Sequence, residues 1–464
     1  MNVSLTKSYL DSFFNPSSVV VIGASNAPFN LGATICECLT SFIDYSGPVC
    51  AVNRKGEAVH SCPGFVSVND IPHIPDLAVI ITPAAVVPRF MRECGEKGIR
   101  SVVIESSGFS EKGGDGARLQ DEIDAIAGDF DMHVMGPNCL GVLDNHNHFC
   151  CFYGAYREIM DVFKKAGDVS YVIQSGGVGV LVIESLMDDL QGINRMVSIG
   201  NKSDIDEADL IEYFSHDATR VIALYLENVT DGVKLMNAAR QCAKPILLFK
   251  SGRTEEGTAA ALSHTAGMAN DDTVFDSACR QAGIIRLKSI DELHSLPKML
   301  TEMPLLRGDR VAAFTNSGAF GTIAADLLVE AGLRIPRLEH ETRERLAGVG
   351  GVFNTNNPVD IGPAPPQTYL DIFEILLAAR EVDGLLLMTS IWRDFVIDAM
   401  KELVTMCIRH DKPAAIYTPN SVARIISVRR EHSLPLFHTM EEAVRALAVS
   451  HEQYRYLRRK ESHE

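Results

Sequence analysis

From Ser18 onward, short runs of Val, Ile and Leu alternate with longer stretches of helical spacing almost to the C-terminus. Runs of this kind, continuous in apolar character and bounded by Gly, Asn or Pro, are those of parallel strands buried on both faces by helices. The first series is predicted at Ser18–Ile22, Pro48–Val52, Leu77–Ile81, Ser101–Ile104 and Met132–Met135, with helices over Leu31–Phe42 and Val87–Lys97. A second is predicted at Asp168–Ile173, Arg195–Ile199, Val221–Leu226 and Pro245–Phe249, and a third at Arg310–Phe314, Gly384–Met388 and Pro413–Tyr417. A chain of 464 residues is too long for one core, and about 150 residues per domain gives roughly three. The expected division is 1–152, 153–304 and 305–464, with linkers near Phe152–Ala166 and Leu300–Gly308 and a last helix from Met440.

The second and third series echo one another. Gln174-Ser-Gly-Gly-Val-Gly179 matches Asn316-Ser-Gly-Ala-Phe-Gly321, each ending a strand and opening a helix. Asn201-Lys-Ser-Asp204 then matches Asn357-Pro-Val-Asp360, and Lys244-Pro245 matches Lys412-Pro413. Three such pairs in one order point to duplication. In open α/β sheets ligands bind beyond the C-terminal ends of the strands, and nearly every motif below sits there.

Charge narrows the ligand. The 43 Lys and Arg against 60 Asp and Glu leave a net charge of -17, which repels nucleic acid and anionic membrane, and neither is expected as a partner. A phosphorylated ligand must then be held by backbone N–H groups, helix N-termini and a few placed cations. The eleven cysteines lack zinc-site spacing and read as buried thiols of a reduced, cytoplasmic protein, with no metal site expected. The N-terminus carries no basic and apolar leader pattern, and the longest apolar stretch, Leu77–Pro88, is too short to span a membrane.

In the first series, Gly23-Ala-Ser-Asn26 follows the first strand and leads into a helix, and Asn53-Arg54-Lys55 follows the second. The turn is equally a tight structural turn or a phosphate site, since the second and third glycines of a dinucleotide fingerprint are missing. Two cations where an NAD enzyme has an acid suit a phosphorylated ribose, as in NADP or coenzyme A. Thr82-Pro83, Glu105-Ser106-Ser107 and Gly136-Pro-Asn138-Cys-Leu-Gly141 complete a polar rim on the same edge.

In the second series, His264 lies in a small-residue loop, Ser263 to Asp272, and Glu227 ends a buried strand. A carboxylate bonded to one imidazole nitrogen leaves the other nucleophilic. With the helix starts after Gln174 and Asn316 as anion cradles, these are the parts of a phosphohistidine carrier. Neither Ser175 nor Ser317 lies in a G-x-S-x-G elbow, which argues against serine-hydrolase chemistry.

Taken in order, Val21-Ile-Gly-Ala-Ser25, Gly136-Pro-Asn-Cys-Leu-Gly141, Gln174-Ser-Gly-Gly177, Gly200-Asn201, Tyr225-Leu-Glu227, Ser263-His-Thr265, Asn316-Ser-Gly318 and Asn357-Pro-Val-Asp360 resemble the alpha subunit of ADP-forming acetyl-CoA synthetases. These are acetate–CoA ligases related to succinyl-CoA synthetase, and the resemblance runs over essentially the whole chain. It implies an α/β fold: a Rossmann-like CoA-binding domain, then two flavodoxin-like, succinyl-CoA synthetase-like doubly wound domains. It implies CoA contacts from Gly23, Ala24, Ser25, Asn26, Asn53, Lys55, Thr82, Pro83, Glu105, Ser106, Ser107 and Asn138. His264 would be phosphorylated and Glu227 its partner, with Gln174, Ser175, Gly176, Gly177, Asn316, Ser317 and Gly318 holding phosphate. Thr389-Ser390-Ile391 would approach the same group. The implied reaction turns acyl-CoA, phosphate and ADP into carboxylic acid, CoA and ATP through acyl phosphate and phosphohistidine. ADP/ATP and Mg2+ would be served mainly by an ATP-grasp beta subunit in an α2β2 assembly.

Two departures from the family pattern stand out: Asn270 in place of a glycine, and Arg54 in place of a proline. They bear on loop mobility and on CoA affinity. A regulatory subunit that binds acyl-CoA without turnover is the alternative, and retention of His264 and Glu227 argues against it. An NADP oxidoreductase would leave two-thirds of the chain without a role.

Overall fold

The computed structural model describes residues 8–154, 159–189, 191–257, 271–362 and 364–462. The chain forms two compact units, Met1–Leu287 and Lys288–Glu464.

The first unit contains two sheets. One is built from β1 (Val19–Ile22), β2 (Val49–Val52), β3 (Gly64–Phe65), β4 (Leu77–Ile80), β5 (Ser101–Ile104) and β6 (His133–Met135), in the order β3-β2-β1-β4-β5-β6. Every pairing is parallel. β1 is wholly buried, because helices cover both faces of such a sheet. The helix Val87–Lys97 shows how: Val87, Met91 and Cys94 form one stripe at helical spacing and pack on Val20, Ile22, Ala78 and Ile80. Gly98, in the left-handed region at φ 97°, ends that helix by donating to the Cys94 and Gly95 carbonyls.

The other sheet comprises β7 (Val142–Asp144), β8 (Phe149–Cys150), β9 (Ala166–Ile173), β10 (Ile193–Ser198), β11 (Val221–Leu226), β12 (Ile246–Lys250) and β13 (Ile284–Arg286). Its order is β13-β12-β11-β9-β10-β7-β8. The strands from β9 to β13 are parallel, and the hairpin β7–β8 is added antiparallel on β10. Residues 136–141 therefore carry the chain from the first sheet into the second.

The second unit holds β14 (Val311–Thr315), β15 (Val352–Asn354), β16 (Val359–Ile361), β17 (Gly384–Met388), β18 (Ala414–Tyr417) and β19 (Leu436–Phe437), ordered β15-β16-β14-β17-β18-β19. Only the edge pair β15–β16 is antiparallel. Both later sheets share one core order, second strand, first, third, fourth, fifth, which is that of flavodoxin-like folds.

The structure bears on each echo. Gln174 and Asn316 both follow the first strand of their sheet and open the helices Gly176–Asp189 and Gly318–Glu330. Lys244 and Lys412 both precede the fourth strand and cap the helix that leads into the third, Glu207–Ser215 and Pro366–Ala378 respectively. Lys244 donates to the Phe214 and Asp217 carbonyls, and Lys412 to those of Leu377 and Ala379 at 2.7 Å each. The Asn201/Asn357 match fails: Asn201 lies beyond β10, whereas Asn357 precedes β16, so the two occupy opposite ends of corresponding strands.

All twelve expected strands are present with small shifts at their ends. The short strands β3, β7, β8, β13, β15, β16 and β19 went unread, because two or three residues carry no periodicity. All eleven cysteines are buried thiols. Among the described residues, no helix is long and apolar enough to cross a membrane.

Candidate active site

The order of the first sheet reverses between β1 and β4, which opens a crevice at their C-terminal ends. Gly23 lies there at φ 104°, so close to β4 that a Cβ would fall 2.2 Å from the Ile81 carbonyl oxygen. The turn after it is clasped by Asn30, which the sequence reading missed. Asn30 Oδ1 accepts from the N–H groups of Ser25 (3.0 Å) and Ala33 (2.9 Å), and its Nδ2 donates to the Gly23 carbonyl (3.1 Å). One side chain thus closes the Gly23–Asn26 turn and caps the following helix.

Asn26 donates to the Ala58 carbonyl at 2.9 Å. Asn53 is spent on its own loop, accepting from Lys55 and Glu57 N–H and donating to the Glu57 carbonyl. Lys55 extends into solvent, 3.5 Å from Glu57. Thr82 N–H donates to Ser106 Oγ at 2.9 Å, Pro83 and Ser107 are exposed, and Asn138 N–H donates to the Ser106 carbonyl. Ala24 is buried beneath the turn.

Glu105 is different. It is 4% exposed and neither carboxylate oxygen has a hydrogen-bond partner. Burial pushes its carboxyl well above the usual range. It lies against the linking loop: a Cβ on Gly141 would be 2.7 Å from Glu105 Oε1.

The second sheet reverses between β9 and β11, and Gln174 and Glu227 stand at those two strand ends. Gln174 Oε1 accepts from Glu227 N–H at 2.8 Å and Asn228 N–H at 3.2 Å, while its Nε2 donates to Asn228 Oδ1 at 2.7 Å. The Gln174 side chain therefore grips the neighbouring strand end, and anion-binding capacity rests with the backbone N–H groups of the first turn from Ser175 through Gly177. Tyr225 hydrogen-bonds to both Ser251 and Glu227; burial and the Glu227 carboxylate raise its hydroxyl pKa. Leu140 of the linking loop packs on the same helix start, 3.4 Å from where a Cβ on Gly176 would lie. The loop 136–141 thus touches Glu105 through Gly141 and the Gly176 turn through the adjacent Leu140.

A polar seam holds the two edges together. Asn201 Nδ2 donates to Ser110 Oγ, Glu111 Oε2 (2.8 Å) and Gln120 Oε1, and its N–H donates to the Pro137 carbonyl at 2.9 Å. Gly200, at φ 55°, passes so near the loop that a Cβ would stand 2.2 Å from the Pro137 oxygen.

In the second unit the corresponding reversal lies between β14 and β17. Asn316 Nδ2 donates to Thr389 Oγ1 at 3.3 Å, Ser317 N–H to Thr315 Oγ1, and Gly318 begins the helix. Ser390 and Ile391 are tied to Asn420 Oδ1. His264, with Ser263, Thr265 and Asn270, lies outside the described residues.

Residues 17–145 match the model of a CoA binding domain, and residues 166–300 that of a succinyl-CoA ligase like flavodoxin domain. The chain is 36% identical over 383 residues to the alpha subunit of acetate–CoA ligase [ADP-forming] II of Pyrococcus furiosus, 81% of each chain. To the alpha subunit of acetate–CoA ligase [ADP-forming] I of the same organism it is 33% identical over 456 residues, 95% of this chain and 96% of that one. The chain belongs to the alpha subunits of the ADP-forming acetate–CoA ligases.

This alpha subunit is thus a member of a family of acid–thiol ligases. It also resembles, with a TM-score of 0.88 at 28% identity, the apo form of acetyl-coenzyme A synthetase 1 from Ca. Korarchaeum cryptofilum, covering 97% of this chain and 98% of that one. The same synthetase, in complex with phosphate and ADP, matches at a TM-score of 0.87. The Rossmann-like first sheet and the two flavodoxin-like sheets of the alpha subunit are as the sequence led us to expect.

Proposed function

We propose that this alpha subunit carries the acyl-CoA half of the ligase reaction: it binds the CoA thioester on the first sheet, and phosphate at the Gly176 helix start. The observation that carries this is the linking loop 136–141, which puts the CoA-side edge and the Gln174–Glu227 switch point into one compact unit.

In the proposed sequence, phosphate oxygen attacks the thioester carbonyl. The C–S bond breaks and CoA leaves as its thiol, giving acyl phosphate. N–H groups of Ser175, Gly176 and Gly177 stabilise the phosphoryl oxygens. A His264 nitrogen then takes the phosphoryl group, breaking the P–O bond and releasing carboxylate. Glu227 holds the other ring N–H and stabilises the cationic imidazole. Phosphohistidine finally passes the group to ADP. The first turn of Gly318–Glu330, with Asn316 and Ser317, is proposed as a second phosphate-binding element on its like local geometry. Gly23, Ala24, Ser25, Asn26, Lys55, Thr82, Pro83, Glu105, Ser106, Ser107 and Asn138 are proposed for CoA. Asn53 shapes that site rather than reaching into it.

Among the described residues no group of three or more His, Cys, Asp or Glu is placed to hold a metal ion. We assign Mg2+ and the nucleotide to an ATP-grasp beta subunit, in an α2β2 assembly, as the family resemblance implies. The naming of the Pyrococcus furiosus relatives as alpha subunits supports a separate partner.

The test is to incubate the chain, with its beta subunit, with acetyl-CoA and radiolabelled phosphate. Acid-labile, base-stable label is expected on the alpha subunit, absent from His264→Ala, which should still bind CoA. Label of equal yield in His264→Ala would overturn the phosphohistidine step. CoA binding without any label across a panel of acyl groups would favour the regulatory alternative.

A further inference from the structure

We propose that Lys202, paired with buried Glu207, is a positioning residue for Glu227, holding the Glu227–Asn228 turn from behind while Gln174 holds it from the front. The inference rests on the reading of Glu227 as the carboxylate partner of His264.

β11 ends at Leu226, and beyond it the backbone has left the strand ladder. Its polar groups are taken up by side chains instead. Gln174 Oε1 accepts the N–H groups of residues 227 and 228. Lys202 Nζ donates to the Asn228 carbonyl at 2.9 Å and to Glu207 Oε2 at 3.0 Å. With Gln174 Nε2 on Asn228 Oδ1, the turn is gripped at both peptide faces and at one side chain. The peptide groups of residues 227 and 228 cannot turn without breaking it.

Stability alone does not explain the arrangement. The Lys202 and Glu207 side chains are 1% and 3% exposed. Taking both charges out of water costs as much as their attraction returns, and an apolar pair of like volume generally does as well or better. Lys202 also has φ 58°, a left-handed conformation unfavourable for a long side chain. Such strain persists where the surroundings over-determine it. Here Asn201 N–H and Ser203 N–H, on either side, donate to the Pro137 and Gly136 carbonyls at 2.9 and 3.0 Å. The Lys202 backbone is thus anchored to the loop linking the two sheets, and its side chain to the Glu227 turn.

The experiment compares the assembled ligase carrying the double substitution Lys202→Met with Glu207→Leu against wild type, measuring kcat, KM for acetyl-CoA and the thermal unfolding midpoint. The double variant should still unfold cooperatively, at a midpoint near that of wild type, and keep the wild-type KM. Its kcat should fall about 10- to 100-fold, the penalty for a misplaced catalytic group. Lys202→Gln with Glu207→Gln, a neutral polar pair that withdraws the ammonium from the Asn228 carbonyl, should lower kcat about tenfold by the same loss of grip, and it decides the matter if the apolar double variant does not fold. Wild-type kcat in either folded variant overturns the inference. Glu227→Gln is assayed in parallel. Should it turn over at the wild-type rate, the reading of Glu227 falls and the clamp with it. Should it slow while both clamp variants do not, the clamp alone is refuted.

Discussion

Glu105 is a carboxyl group in surroundings that offer it nothing to bond to, with Cys139, Cys151 and Tyr153 close by. Burial raises its pKa well above the ordinary 4.5, so the folded chain holds a proton that the unfolded chain releases. The sign follows from proton linkage: above 4.5 the native state binds more protons than the unfolded one, and stability falls as pH rises toward the raised pKa. Glu105→Gln keeps the shape and removes the titration. In urea unfolding without CoA, wild type should lose stability relative to Glu105→Gln as the pH rises above 4.5. Parallel pH profiles would mean that Glu105 is ionised in the native state. A neutral acid at this edge can donate a hydrogen bond, which is the property a thioester or amide oxygen of CoA would use.

Several elements here are fastened at their ends by single side chains. The helix starts at Gly176 and Gly318 lie at the switch points, and lysines 244 and 412 close the ends of the helices Glu207–Ser215 and Pro366–Ala378. The segment Gly200–Asn201 is the tightest joint, because its backbone lies against the carbonyls of Pro137 and Asn138. Gly200→Ala adds a methyl group 2.2 Å from the Pro137 oxygen, and does so at φ 55°. We expect it to destabilise the chain by about 2–4 kcal/mol. The urea midpoint of the unit 1–287 measures this directly, and a wild-type midpoint would show that the joint yields.

On the scale of the chain, the two compact units differ in make-up. Lys288–Glu464 contains one sheet, while Met1–Leu287 contains two that share a linking loop and the Asn201 seam. A fragment 288–464 should therefore unfold in one cooperative transition. A fragment 153–287 should not match the stability of 142–287, because removing β7–β8 uncovers the edge of β10 and its unpaired backbone groups. Circular dichroism in urea compares the two. Equal midpoints would show that the hairpin is an addition rather than part of the second sheet's core.

The central strands were legible because each is an unbroken apolar run bounded by turn residues, a signal complete within a handful of neighbours. The Gly23 turn, the Gln174 and Asn316 helix starts and the Lys-Pro pairs were legible for the same reason: glycine and proline act locally on the backbone. Short edge strands were not, since a two-residue strand such as Gly64–Phe65 exists only because Ala51 and Val52 lie alongside to pair with it. The same limit applied to side chains. Gln174 stood in a legible motif, yet nothing within that motif says that its carboxamide turns to the Glu227 N–H. Lys202 was noticed in a repeated tetrapeptide whose supposed twin occupies the other end of its strand, and its partners Glu207 and Asn228 come from two separate elements. Period, turn chemistry and family motifs are properties of neighbouring residues, so the chain order alone carries α/β architecture and the list of reactive groups. Which of those groups meet, and which are shut away from water, depends on contacts between segments far apart in sequence, and only folding brings these into being.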